Sequence, residues 1–205
     1  MKTILCYGDS NTFGFNPADG SRYDKNTRWT SLLQKNLGDE YNVINEGANN
    51  RNGFVSNPQG DFYSAQKHYP KLILNSENID IIILAIGTND LQFSYNANSD
   101  DFEQGLENLI LISKKKIDNI ILIPSVILSG NILNGFFKIQ FDKTSILKSQ
   151  SVGEIYYKLA KNYNCRIFDI NKFTQPSEMD GLHYSAESHK LIADNLAKFI
   201  ISENL

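Results

Sequence analysis

The sequence predicts an α/β domain built on a parallel sheet. Two observations carry this. Five apolar segments, residues 3–7, 42–45, 79–86, 119–123 and 166–170, alternate with segments of helical period. The strongest of the five, Ile81-Ile82-Ile83-Leu84-Ala85-Ile86, is a continuous apolar run. Continuous runs suit strands covered on both faces, whereas half-exposed strands alternate.

The elements follow in order. Thr3-Ile4-Leu5-Cys6-Tyr7 is the first strand. Trp29, Leu32, Leu33 and Leu37 share one helix face, with Gly38 placed to end the helix. Phe102, Leu106, Leu109 and Ile110 line a second helix, opened by Ser99-Asp100-Asp101 and closed by Lys114-Lys115-Lys116, a charge order that complements the helix dipole. Val152, Ile155, Tyr156 and Leu159 mark a third. Leu191, Ile192, Leu196, Phe199 and Ile200 mark the last, with Ser185 as its N-cap. Residues 11–26, 49–65 and 129–144 are the least regular. Each follows a strand, so all three belong at one sheet edge, and loops of that length in a small domain are often binding loops.

At 205 residues, 41% hydrophobic and 21% charged, the chain reads as one domain, residues 1–205, with a full core. A net charge of −3 leaves no basic footprint for nucleic acid. No apolar run reaches membrane-span length, so no membrane association is expected. No secretory signal precedes the first strand, which makes a cytoplasmic location the expectation. Cys6 and Cys165 both fall in strands and read as packing residues. No Cys/His cluster has metal-ligand spacing, and neither a metal nor a cofactor is expected.

Four polar motifs sit where ligands bind in open α/β sheets, at the carboxyl ends of strands or before the final helix. Gly8-Asp9-Ser10-Asn11 follows the first strand. A serine hydroxyl is a weak nucleophile until a base takes its proton, and that base needs an orienting group. Asp180-Gly181-Leu182-His183 offers both within one turn, although D-x-x-H alone is a weak signal and more often a solvated turn before a helix. His68, in a loop or helix start, and His189, on the last helix, are poorer candidates. Gly87-Thr88-Asn89-Asp90 follows the central strand; the Asn89 amide could face a tetrahedral oxyanion or could simply close an Asx-type turn. Asp9 and Asp90 read as turn organisers without a part in the reaction. Asn45-Glu46-Gly47-Ala48-Asn49-Asn50-Arg51 has turn chemistry and could present a backbone N–H to the same point.

Taken together, in this order and strand context, these residues resemble the SGNH (GDSL-like) hydrolase family, over residues 8–183. Gly8-Asp9-Ser10-Asn11-Thr12-Phe13-Gly14, Arg28-Trp29-Thr30, Glu46-Gly47 with Arg51, and Gly87-Thr88-Asn89-Asp90-Leu91 are most similar to its arylesterase and carbohydrate-esterase-like branch. The resemblance implies a three-layer α/β/α sandwich with a five-stranded parallel sheet of flavodoxin-like type. It implies Ser10 as nucleophile, His183 as base and Asp180 as its orienter. The oxyanion donors would be the Ser10 N–H, the Asn89 amide and a backbone N–H after the second strand. Counted from Asn45, that last donor is Asn50, where the family has glycine. Two other departures are Phe13, where the branch has tryptophan, and the polar, aromatic segment 129–144, where it is rich in glycine and proline.

The implied activity is hydrolysis of a small acyl ester, acetyl or short-chain, on a sugar, aryl or small alcohol. A lysophospholipase, thioesterase or acyltransferase of the same fold is the nearest alternative. A binding protein that has lost the chemistry is the alternative of another class. Relatives in this branch often self-associate, so a homo-oligomer is among the expected states, and Phe136-Phe137 would serve an interface or line the pocket. The α/β-hydrolase fold fits less well, because its serine lies in G-x-S-x-G, absent here. A nucleotide site lacks both G-x-G-x-x-G and G-x-x-x-x-G-K-[ST].

Overall fold

Five parallel strands, β1 (Lys2–Gly8), β2 (Tyr41–Gly47), β3 (Ile81–Ala85), β4 (Asn119–Leu122) and β5 (Arg166–Ile167), form one sheet in the order β2-β1-β3-β4-β5. The computed structural model describes residues 1–205. The chain leaves β1 towards one edge of the sheet and returns through β3 towards the other. The β1/β3 boundary is therefore the topological switch point, where a crevice opens beyond the strand ends.

Helices cover both faces. The long helices α2 (Trp29–Leu37) and α7 (Ala186–Ser202) pack together on one, and α3 (Ala65–Asn75), α4 (Ser99–Lys114) and α6 (Gly153–Asn162) pack in sequence on the other. The short α1 (Ser10–Phe13) follows β1, and α5 (Lys143–Ser151) precedes α6. This is the expected three-layer α/β/α sandwich. Ile81, Ile82, Ile83 and Leu84 are all fully buried, as their uninterrupted run requires. Burying one such side chain contributes about 1.5–3 kcal/mol. No helix is long and apolar enough to cross a membrane.

Helix ends follow local chemistry. Gly38 closes α2 at φ 72°. The N-cap of α4 is Asn98, one residue before the expected opening: its Oδ1 accepts from Asp100 N and Asp101 N, while Asp101 Oδ2 accepts from Asn98 N. Ser185 caps α7 as expected, accepting from Ser188 N at 3.2 Å.

Two helices lie where irregular chain or nothing was expected. In α3, Pro70 lacks the N–H that would continue the ladder, yet Ala65, Tyr69 and Ile73 recur at four-residue spacing and are buried. Tertiary packing of that stripe outweighs the proline. In α5 the buried positions are Ser145 and Ser149, so no apolar stripe announces it. Segment 129–144 holds two short 3₁₀ turns, Gly130–Leu133 and Phe136–Ile139. The fifth strand pairs only over Arg166–Ile167, shorter than the expected 166–170.

Candidate active site

Ser10 begins α1 immediately beyond β1. Asp9 is the N-cap, its Oδ1 accepting from Asn11 N at 3.0 Å. Gly8 lets the turn lie flat on its neighbours: a Cβ there would stand 2.1 Å from Thr12 Oγ1 and 2.5 Å from Ala85 O. The Ser10 N–H is left without a protein acceptor.

The Asp180–His183 turn comes from the far end of the chain. Gly181 sits at φ 70°, which folds the turn back on itself. Asp180 Oδ1 accepts from Leu182 N and His183 N, both at 2.9 Å, and Oδ2 lies 2.6 Å from His183 Nδ1. Burial alone would raise the Asp180 pKa, but the hydrogen bond and charge of His183 and the two backbone N–H groups lower it below the ordinary carboxylate value. An ionised carboxylate only accepts, so the proton is on Nδ1 and Nε2 is the acceptor. Ser10 Oγ lies 2.9 Å from that Nε2, across 173 residues of chain. All three side chains are buried.

Asn11 pins the two segments together. Its Nδ2 donates to Leu182 O at 3.3 Å and its Oδ1 accepts from Tyr184 N at 3.1 Å, bracketing His183 on both sides. The imidazole packs against Phe15 (ring centroids 4.1 Å apart) and Phe137 (5.2 Å).

Asn89 begins a 3₁₀ turn beyond β3. One Nδ2 hydrogen goes to Arg51 O at 3.0 Å and its Oδ1 accepts from Gln92 Nε2 at 3.1 Å, leaving the second Nδ2 hydrogen without a protein acceptor. Asn50 lies in the left-handed region at φ 63°, which asparagine tolerates better than most residues, and its N–H also lacks a protein acceptor. Ser10, Asn49, Asn50, Asn89, His183, Phe15, Phe137, Gln140 and Leu182 together line one open cleft of about 450 Å³. All five residues singled out from the sequence thus meet at one place. Phe137 lines the same cleft, whereas Phe136 is exposed.

The other two histidines stand apart from Ser10. His68, on α3, has Nδ1 3.3 Å from the Tyr7 hydroxyl. His189, on α7, accepts from Trp29 N through Nδ1 at 3.2 Å. Asp9 organises its own turn as expected. Asp90 organises a different one: its carboxylate accepts from Gly53 N, Phe54 N and Val55 N at 2.6–2.9 Å, fixing the loop after β2. Burial pushes Asp90 up to about 6, against the lowering effect of those N–H groups.

Three contributors had no role assigned to them from the sequence, although Asn11 and Arg51 lie within the motifs it singled out. Arg51 is fully buried, donates to Gly8 O and Glu46 O, and lies between the Tyr7 and Phe62 rings, with its guanidinium carbon 4.5 and 5.0 Å from their centroids. It joins the carboxyl ends of β1 and β2 beneath the Asn50 loop. Asn11 and Gln92 are the others. A polar residue directly after Ser10 was a signal for Asn11; Gln92 had none.

The fold and the family are both represented among known proteins. An aryl esterase from M. smegmatis superposes with a TM-score of 0.90 at 23% identity, covering 98% of this chain and 99% of that one. A carbohydrate acetylesterase from Sinorhizobium meliloti gives a TM-score of 0.91 at 22% identity, with 98% and 99% covered. A carbohydrate acetylesterase family member from the same organism gives 0.88 at 25% identity, with 98% of each chain covered. Comparison with curated protein sequences gives no match. The sequence matches the family described as GDSL-like Lipase/Acylhydrolase over residues 4–196. A match of that extent means that the chain belongs to the GDSL-like lipase/acylhydrolase family, a family of carboxylic-ester hydrolases.

Proposed function

We propose that the protein is a serine esterase for small acyl esters, working through an acyl-enzyme on Ser10. The observation that carries this is the unbroken path from Asp180 to His183 to Ser10, at 2.6 and 2.9 Å, opening into a cleft with three unused N–H donors.

Ser10 Oγ attacks the ester carbonyl while His183 Nε2 takes its proton. Asp180 holds the Nδ1 proton and stabilises the imidazolium. The oxyanion that forms accepts from Ser10 N–H, Asn50 N–H and the free Asn89 Nδ2 hydrogen. As the C–O bond breaks, Nε2 returns its proton to the departing alcohol, leaving an ester on Ser10. Water then attacks that ester by the same route, and the acid leaves with Ser10 restored.

The Phe15 and Phe137 rings wall the cleft beside His183, where they would flank a bound acyl group. The aryl esterase and carbohydrate acetylesterases of similar fold support an aryl or sugar alcohol as leaving group. Hydrolysis of p-nitrophenyl acetate by wild type and Ser10→Ala tests the reading. Wild type turns over and takes one fluorophosphonate at Ser10, and the variant does neither; equal rates would refute the proposal.

A further inference from the structure

The two asparagines proposed as oxyanion donors are joined by a third carboxamide. Gln92 is only 4% exposed and follows Asn89 by one 3₁₀ turn. Its Nε2 donates to Asn89 Oδ1 at 3.1 Å and to Asn50 Oδ1 at 3.4 Å. A carboxamide nitrogen carries two hydrogens, so one side chain serves both acceptors.

Apart from the two unused N–H groups, the other polar groups of both partners are committed elsewhere. Asn89 gives one hydrogen to Arg51 O. Asn50 Nδ2 donates to Gln59 Oε1 at 2.7 Å, and Asn50 O accepts from Asn57 Nδ2 at 2.7 Å. Rotating the Asn89 amide by half a turn would set its oxygen against Arg51 O and its nitrogen against Gln92 Nε2. Both contacts would become repulsive. Only the observed orientation keeps an N–H, rather than an oxygen, available to the cleft. Asn50 is held from both ends of its side chain, which fixes its left-handed backbone, with the N–H unpaired, at the wall of the same cleft.

We infer that Gln92 is a positioning residue for ester hydrolysis: it fixes the Asn89 amide orientation and couples the Asn50 loop to it, so that both donors are aimed before substrate arrives. The inference rests on the serine-esterase reading. Donors set in advance cost no reorganisation when charge develops, which is where oxyanion sites gain their effect. Gln92 itself does not line the cleft.

Gln92→Met keeps length and burial and removes the donor. With p-nitrophenyl acetate, kcat falls by about 10–100-fold while KM changes by less than about twofold, since the loss is confined to the transition state. Gln92→Glu sets carboxylate oxygens against Asn89 Oδ1 and Asn50 Oδ1, and its kcat falls further. In an Asn89→Ala background the Gln92→Met cost shrinks severalfold, because the Asn89 amide it orients is gone and only its hold on Asn50 remains to be lost. A merely structural role would give the same cost in both backgrounds, and that result overturns the inference. So does an unchanged kcat in Gln92→Met, or wild-type activity in Gln92→Glu. Fluorophosphonate labelling of the wild type separates the two levels. A labelled Ser10 with a neutral Gln92→Met removes the clamp alone, and an unlabelled Ser10 removes the esterase reading and the clamp with it.

Discussion

The segment that closes the chain carries two buried histidines six residues apart, His183 in the turn before α7 and His189 inside it. They are 2% and 0% exposed. His183 has a carboxylate on Nδ1 and a hydroxyl on Nε2. His189 accepts a backbone N–H from Trp29 on Nδ1, and its Nε2 has no partner at all. Burial pushes the His189 pKa down to about 3, helped by the charge of His183, so its ring stays neutral at ordinary pH. Residue type, burial and position along the chain are nearly the same; the partners fit one ring for the proton transfer proposed above and the other for holding α2 against α7.

Removing each ring is the sharpest way to break that contrast. His183→Ala should lower kcat for a short ester by roughly 10⁶, as loss of the base does in serine hydrolases of this design, whereas His189→Asn should change kcat by less than about threefold. Comparable losses would mean that the partners do not divide the roles. The next largest effect belongs to the orienter. Asp180→Asn keeps the shape but can offer an N–H to Nδ1, favouring the tautomer that cannot accept the Ser10 proton. Its kcat should fall by about 10⁴ with KM little changed. A Michaelis–Menten series that moved KM instead would show that the carboxylate serves binding.

Asn11 tests whether His183 must be held from outside its own turn. Asn11→Ala strands Leu182 O and Tyr184 N in a buried setting, at about 1–3 kcal/mol for each unpaired group. A misplaced base of this kind costs up to about 10²-fold in kcat, so a loss of stability accompanied by about 10–100-fold slower turnover is expected. Thermal denaturation and kcat measured on the same preparation check it. Destabilisation without slower turnover would make Asn11 a structural tie only.

Parts of this site were legible because their chemistry is contiguous. Asp9 caps its own turn, and Asp180 and His183 share one, so the sequence holds the whole local geometry. Ser10 meeting His183 followed from the parallel sheet, which gathers the strand ends at the switch point. Asn50 was reached only by counting against a family pattern, and its positive φ explains how asparagine can stand where glycine is usual. Gln92 and Arg51 were not legible. Arg51 works on backbone carbonyls, and Gln92 bridges Asn89, one turn back, to Asn50, 42 residues away; neither set of contacts shows in residue type or in a recurring spacing. The helices hid for related reasons: α3 behind Pro70, and α5 behind a buried face made of serines.

The smallest effect concerns stability alone and comes from His189. Its folded pKa lies below its unfolded value of 6.5, so the unfolded chain binds the extra proton as the pH drops. The stability it supports is complete above 6.5 and declines as the pH falls towards about 3. At pH 5 the loss amounts to about 2 kcal/mol, at about 1.36 kcal/mol for each pH unit below the unfolded value. Asp90 acts in the opposite sense. Its pKa is raised to about 6, so the stability linked to it is complete below the ordinary carboxylate value and is lost as the pH rises through 6. Raw curves for the wild type therefore partly cancel, and Asp180, whose pKa is lowered, gives up stability only below the ordinary carboxylate range. The informative quantity is the difference between wild type and His189→Asn in urea unfolding at pH 7.5 and pH 5. The asparagine amide can still accept from Trp29 N but cannot take up a proton. Loss of ring packing against Tyr23 shifts the variant equally at both pH values. Wild type should therefore lose about 2 kcal/mol more than the variant between the two. Parallel losses would mean that His189 is protonated in the folded protein and that its unpartnered Nε2 is no sign of a neutral ring.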